Sequence, residues 1–182
     1  MRKRITVMSF VFIMVISLRV KAQNNDYKLE NQFMDCVCSV FDDNGAELKK
    51  RIKNAEKKLI KAEVLANTSG KSYIALFKNI RTAIDGRVAN FGISDYVIQS
   101  LMSSENAKKY NACMGRMMQD ADYKDSKINK FIILSTTSGS NPKITDLTSK
   151  MLEIFEAKDF NHDFYKYLTF SLIDKYNMAN KK

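Results

Sequence analysis

Apolar residues recur three and four positions apart along nearly the whole chain, and that period limits the fold more than any motif does. The longest stripe is Leu48, Ile52, Ala55, Leu59, Ala62 and Ala66, with Lys and Glu on the opposite side of a helix from Ala46 to Ala66. Leu29, Phe33, Cys36 and Val40 precede it on a second stripe, and Tyr73, Leu76, Phe77, Ile80 and Ile84 follow on a third. Further stripes run through Val97 to Met102, Ala107 to Met117, Ile144 to Phe155 and Phe160 to Leu172. Ile128 to Thr137 fits either a helix or a short strand. One Pro and six Gly leave little turn chemistry for a many-stranded sheet. The expectation is a compact all-α bundle of seven to eight helices.

Residues that cap helices support these boundaries. Ser94 and Asp95, Ser103 and Ser104, and Asn161 each precede an apolar periodic run, and Pro142 suits a first helical turn. Gly70-Lys71-Ser72 ends like a phosphate-binding loop. That loop needs a glycine at position 65, which is Leu65, and a preceding buried strand, where this chain has a Lys/Glu/Ala helix. Gly70 therefore reads as the left-handed residue closing one helix, and nucleotide is not an expected ligand.

The N-terminus reads as an address. Met1-Arg2-Lys3-Arg4 is cationic, and Ile5–Leu18 is a run of fourteen uncharged residues. That is too short for a membrane span of about 20 residues and right for the core of a signal peptide. Val20-Lys21-Ala22 offers the small-residue pattern of a cleavage site. Residues 1–22 are thus a signal peptide cut between Ala22 and Gln23, and residues 23–182 form one domain with no stable span. Such a chain is exported, to the periplasm or beyond a bacterial cell.

Cleavage halves the charge. Five of the 30 Lys and Arg lie in the leader, which has no acids, so the net charge falls from +10 to +5. Much of the excess sits in Glu47–Glu63, with seven cations and three acids. A domain of this charge is no nucleic-acid footprint. The cationic side of that helix, with Lys49, Lys50 and Arg51, is one candidate interaction surface. It suits an anionic polymer or an acidic envelope or extracellular protein. The other candidate is the aromatic last helix, with Phe164, Tyr165 and Tyr167.

Three cysteines leave at least one unpaired within the chain. Cys36 and Cys113 lie on or beside apolar stripes and form a candidate disulfide, with Cys38 as an exposed thiol. The two also start similar stretches, Cys36–Asp43 and Cys113–Asp120. Leu65–Gly70 and Leu134–Gly139 match in the same order; a duplicated unit would give two weakly similar helical halves, but only short islands match, and chance in a Ser/Thr/Lys-rich chain is the favoured reading. Cys36, Cys38, Met34, Cys113, Met114, Met117 and Met118 form a soft-ligand set that could hold Cu(I), although Met commonly fills helical cores. His162 is the only histidine, which excludes metal centres needing two from one chain. A Cys113/His162 nucleophile is the sole dyad of its kind, and the carboxylates alternate with Lys along polar faces. No cofactor and no catalytic residue can be named. The sequence points to a binding or structural role, with an envelope hydrolase and a Cu(I) protein as alternatives.

Overall fold

The structure, a computed structural model, describes residues 26–84, 88, 90–137 and 143–179. The cleavage site at Ala22 and Gln23, Pro142, and the second corner at Ser138 and Gly139 lie outside the described residues. The described chain is all helical, in nine α-helices: α1 (Lys28–Cys38), α2 (Ala46–Lys61), α3 (Gly70–Lys78), α4 (Ile80–Ile84), α5 (Ile93–Leu101), α6 (Ser104–Met118), α7 (Lys127–Thr137), α8 (Ile144–Ile154) and α9 (Asp163–Ala179). A 3₁₀ turn, Ala157–Asn161, leads into α9. The ambiguous segment from Ile128 is α7. The count exceeds the expected eight because the third stripe is two helices, parted at Asn79, whose backbone leaves helical geometry at φ −125°.

The last helix is the axis of the fold. It packs on α1, α2, α5 and the 3₁₀ turn, while α6 closes the outside against α1 and α5. On the other side α3 packs on the 3₁₀ turn and on α8, which also carries α4 and α7. Hence no residue from Phe164 to Asp174 is exposed. Phe160 sits at the junction, stacked on Tyr73 at 5.3 Å and edge-on to Phe77 at 5.3 Å. Aromatic pairs at such distances add stability beyond the area they bury.

Two glycines are required by close approach. Gly45 closes the turn into α2 at φ +77°, after Asn44 at φ +52°. A Cβ there would also overlap the Cys38 side chain. The turn is fixed by Asp43, which accepts the Gly45 and Glu47 N–H groups at 2.9 and 2.8 Å. Gly70 does not end α2 as the sequence suggested. It is the first residue of α3, and a Cβ on it would strike the Ala157 carbonyl. The left-handed residue closing α2 is Glu63, at φ +58°, and the helix ends at Lys61 rather than Ala66. The Val64 N–H reaches back to the Leu59 carbonyl at 2.9 Å, which satisfies one of the last free carbonyls.

Two of the expected caps are supplied from elsewhere. Ser94 is the second residue of α5, not its cap; Asp174, fully buried on α9, does that work. Its carboxylate accepts the N–H groups of Phe91 (2.6 Å), Ile93 (2.8 Å) and Ser94 (3.2 Å). A negative charge at a helix N-terminus is favoured by the dipole as well as by these bonds. At α9 the side chain before the helix is His162, whose Nδ1 accepts the Phe164 N–H at 3.2 Å, rather than Asn161.

A disulfide joins Cys36 to Cys113, with Cα atoms 5.5 Å apart, and ties α1 to α6. Bridging a sequence separation of 77 residues stabilises by roughly 4.5 kcal/mol in the chain-entropy model. Of the helices that carry or follow the segments matched in sequence, α1 packs on α6, and α3 packs on α8. The second helices break the correspondence, since α2 packs on α9 and α5 whereas α7 packs on α8.

Asp174→Ala leaves two buried N–H groups and one part-buried N–H without their acceptor. Urea unfolding should show a loss of roughly 3 kcal/mol, and Tm should fall by about 6–12 °C. A loss below about 0.5 kcal/mol, the range of ordinary surface changes, would contradict the role given to this carboxylate.

Candidate binding surface

The cationic helix does not present its predicted trio as one patch. Successive helical residues point about 100° apart, so Lys49, Lys50 and Arg51 diverge. Lys49 lines a pocket on the α1 side with Cys38 and His162. Lys50 points outward, with its Nζ 3.5 Å from Glu47. Arg51 turns the other way, lies 4.4 Å over the Tyr96 ring, and pairs with Glu47 at 3.2 Å. Tyr96 in turn stacks flat on Phe41 at 4.7 Å. This cation is half-buried and fixed, with an aromatic face drawing it as the carboxylate does.

Beside it lies a groove of 430 Å³ lined by Glu47, Arg51, Asn54, Ala55, Lys57, Lys58 and Phe91. Three of those seven residues are cations and one is an acid already engaged with Arg51. Arg51 and Lys58 are two turns apart, about 10 Å along the axis. Phe91 was not marked by the sequence, because it lies outside the periodic stripes. Its position depends on the Asp174 carboxylate, which holds its N–H at 2.6 Å, and its ring meets Phe170 edge-on at 5.5 Å.

The other predicted surface is core. Phe164 and Tyr165 are each 1% exposed, and Tyr167 is half-buried against Phe33. The sequence showed more aromatics than one face could bury; the helix is instead enclosed from several sides. Burial pushes the Tyr167 phenol up to about 12.

A second cleft, of 480 Å³, lies at the start of α1 between Lys28, Asp122, Lys127 and Lys158. Each of its three lysines is ion-paired. Lys28 bridges Asp120 (2.8 Å) and Asp122 (3.1 Å), Lys127 holds Asp159 (2.6 Å), and Lys158 meets Glu156 (3.3 Å). The hydrogen bond between them raises the Lys28 pKa and lowers that of Asp120.

The four buried carboxylates are likewise spoken for. Glu30 accepts the Tyr165 hydroxyl at 2.6 Å, and Glu56 accepts the Tyr73 hydroxyl and the Lys166 ammonium, both at 2.8 Å. Asp159 takes Lys127, the Tyr27 hydroxyl and the Glu156 N–H, and Asp174 its three amides. Burial and these acceptors push the Tyr73 and Tyr165 phenols far up, and Tyr27 up to about 12.

Cys113 is spent in the disulfide and cannot act with His162. The cysteine that does line a pocket with His162 is Cys38, which is 7% exposed rather than an open thiol. Burial raises its pKa, against the thiolate a nucleophile needs. Of the soft-ligand set, Cys36 and Cys113 are joined, Met34, Met114 and Met117 are core, and Met118 is 47% exposed. Among the described residues no group of three or more His, Cys, Asp or Glu is placed to hold a metal ion. Ser72, the last residue of the phosphate-loop tripeptide, is buried and bonded to Asn67 at 3.2 Å. Among the described residues no helix is long and apolar enough to cross a membrane. Comparison of the chain with protein-family models, curated proteins and solved structures gives no match.

Proposed function

We propose that this is an exported bacterial protein of the cell envelope or extracellular space, with a binding rather than catalytic role. The groove between α2 and Phe91 is its binding surface, and an extended anionic polymer is its partner. The observation that carries this reading is the groove itself: Arg51, Lys57 and Lys58 in its lining together with an aromatic ring. Arg51 is already ordered by Tyr96, so little side-chain freedom is lost when an anion docks beside it. The buried carboxylates support a non-catalytic reading, because each already accepts from a tyrosine, a lysine or a backbone amide. The disulfide supports export, since such bonds persist in oxidising compartments.

Binding to polygalacturonate, with neutral dextran as the control, tests the groove. Reversing Lys57 and Lys58 to Glu should weaken binding by at least about tenfold, or about 1.4 kcal/mol, and flatten its salt dependence. Reversing Lys130 of α7 and Lys150 of α8, both exposed and neither in the groove lining, changes the net charge equally. Its effect should stay within about threefold, as expected of solvent-screened surface charges. Equal losses from both pairs would mean that net charge, not the groove, attracts the polymer. No binding by the unaltered protein would remove an anionic polysaccharide as partner.

A further inference from the structure

His162 joins three parts of the fold. Its Nδ1 accepts the Phe164 N–H at the start of α9, and its Nε2 lies 3.1 Å from the Asn31 amide oxygen on α1. The ring stacks on Tyr27 at 4.9 Å and meets Tyr165 edge-on at 6.4 Å. An amide oxygen only accepts, so Nε2 carries the proton and donates to Asn31; Nδ1 must be bare to accept from Phe164. The ring is therefore held as one neutral tautomer. A second proton would fall on Nδ1, facing an N–H donor and the positive end of a 17-residue helix.

We propose that His162 is an acid-sensitive latch between α1 and the start of α9, and that a second proton on its ring breaks the bond to Phe164 and opens the pocket onto Cys38. That pocket, of 300 Å³, is lined by both residues, with Lys49 of α2 as a further cation opposing the imidazolium. The acids near the ring are Asp35 and Glu30 on α1 and Asp163 on α9. Glu30 is already engaged by the Tyr165 hydroxyl. Tyr27, Tyr165 and Cys38 complete the titratable neighbours, and all three have raised pKa values. Burial lowers the His162 pKa below its ordinary value, against the pull of Glu30 and Asp163. The sign follows. A base with a lowered folded pKa contributes stability fully above its unfolded pKa of about 6.5, and that stability is lost as pH falls through the folded value.

Because the chain has one histidine, its ring proton resonance gives the titration directly. Cys38 labelling by 4,4′-dithiodipyridine reports the opening, with each rate divided by that of the unfolded protein at the same pH. Between pH 7.5 and 5.0 the relative rate should rise by up to about tenfold per pH unit as pH falls toward the histidine midpoint, and level off below it. His162→Asn keeps an acceptor for Phe164 without a titrating group, and its relative rate should change by less than about twofold. Should that variant misfold, the wild-type comparison stands alone: the labelling midpoint must coincide with the histidine midpoint. A flat wild-type profile, separate midpoints, or an equal rise in a folded His162→Asn protein would overturn the latch.

Discussion

Two tyrosine hydroxyls set the terms for the interior. Tyr73 and Tyr165 are among the largest fully buried side chains, and a buried phenol without a partner costs more than its ring gains by a better fit. Each is answered by a carboxylate from another helix, Glu56 on α2 and Glu30 on α1. Those acids are tolerable inside only because they are answered in turn, Glu56 also by Lys166 of α9. The result fixes the positions of α1 and α2 against the axial helix more narrowly than apolar contact alone would. Apolar contact accepts many registers; a 2.6 Å hydrogen bond accepts few.

The same economy shapes the outside. Asp174 and Asp159 hold backbone segments and a lysine at the two ends of the core. In the α1 cleft, Asp122 and Asp159 are held by its own lysines. The side of α2 that faces Phe91 differs, because its one acid serves Arg51 and leaves Lys57 and Lys58 beside an aromatic wall. That imbalance, and not the total charge, separates this groove from the ion-paired cleft. The proposed binding role rests on it.

The helices were legible because apolar periodicity is a local signal, written within each segment. The all-α class and the residues of each stripe follow from it directly, and Cys36 and Cys113 stand out by lying on or beside stripes. What the sequence obscured depends on distant partners. Nothing near Ser94 says that its helix is capped by Asp174, eighty residues on. Nothing near Gly70 says that the Ala157 carbonyl presses on it, so local sequence points to backbone conformation as the reason for its missing side chain. Periodicity presents the aromatic helix as a surface because a stripe has one face, whereas an axial helix has several. The cationic trio failed for a geometric reason: adjacent residues on a helix do not share a face. Phe91, which completes the groove, carried no periodic signal at all.

The proposed export and the Cys36–Cys113 bond belong together, since an oxidising compartment is where such a bond persists. The most direct test of both is the intact mass of protein isolated from its native host, alkylated under denaturing conditions with and without prior reduction. Expected is a chain beginning at Gln23 that takes one alkyl group, on Cys38, before reduction and three after it. A chain that keeps Met1, or that takes three alkyl groups without reduction, would contradict the exported, disulfide-tied protein described above.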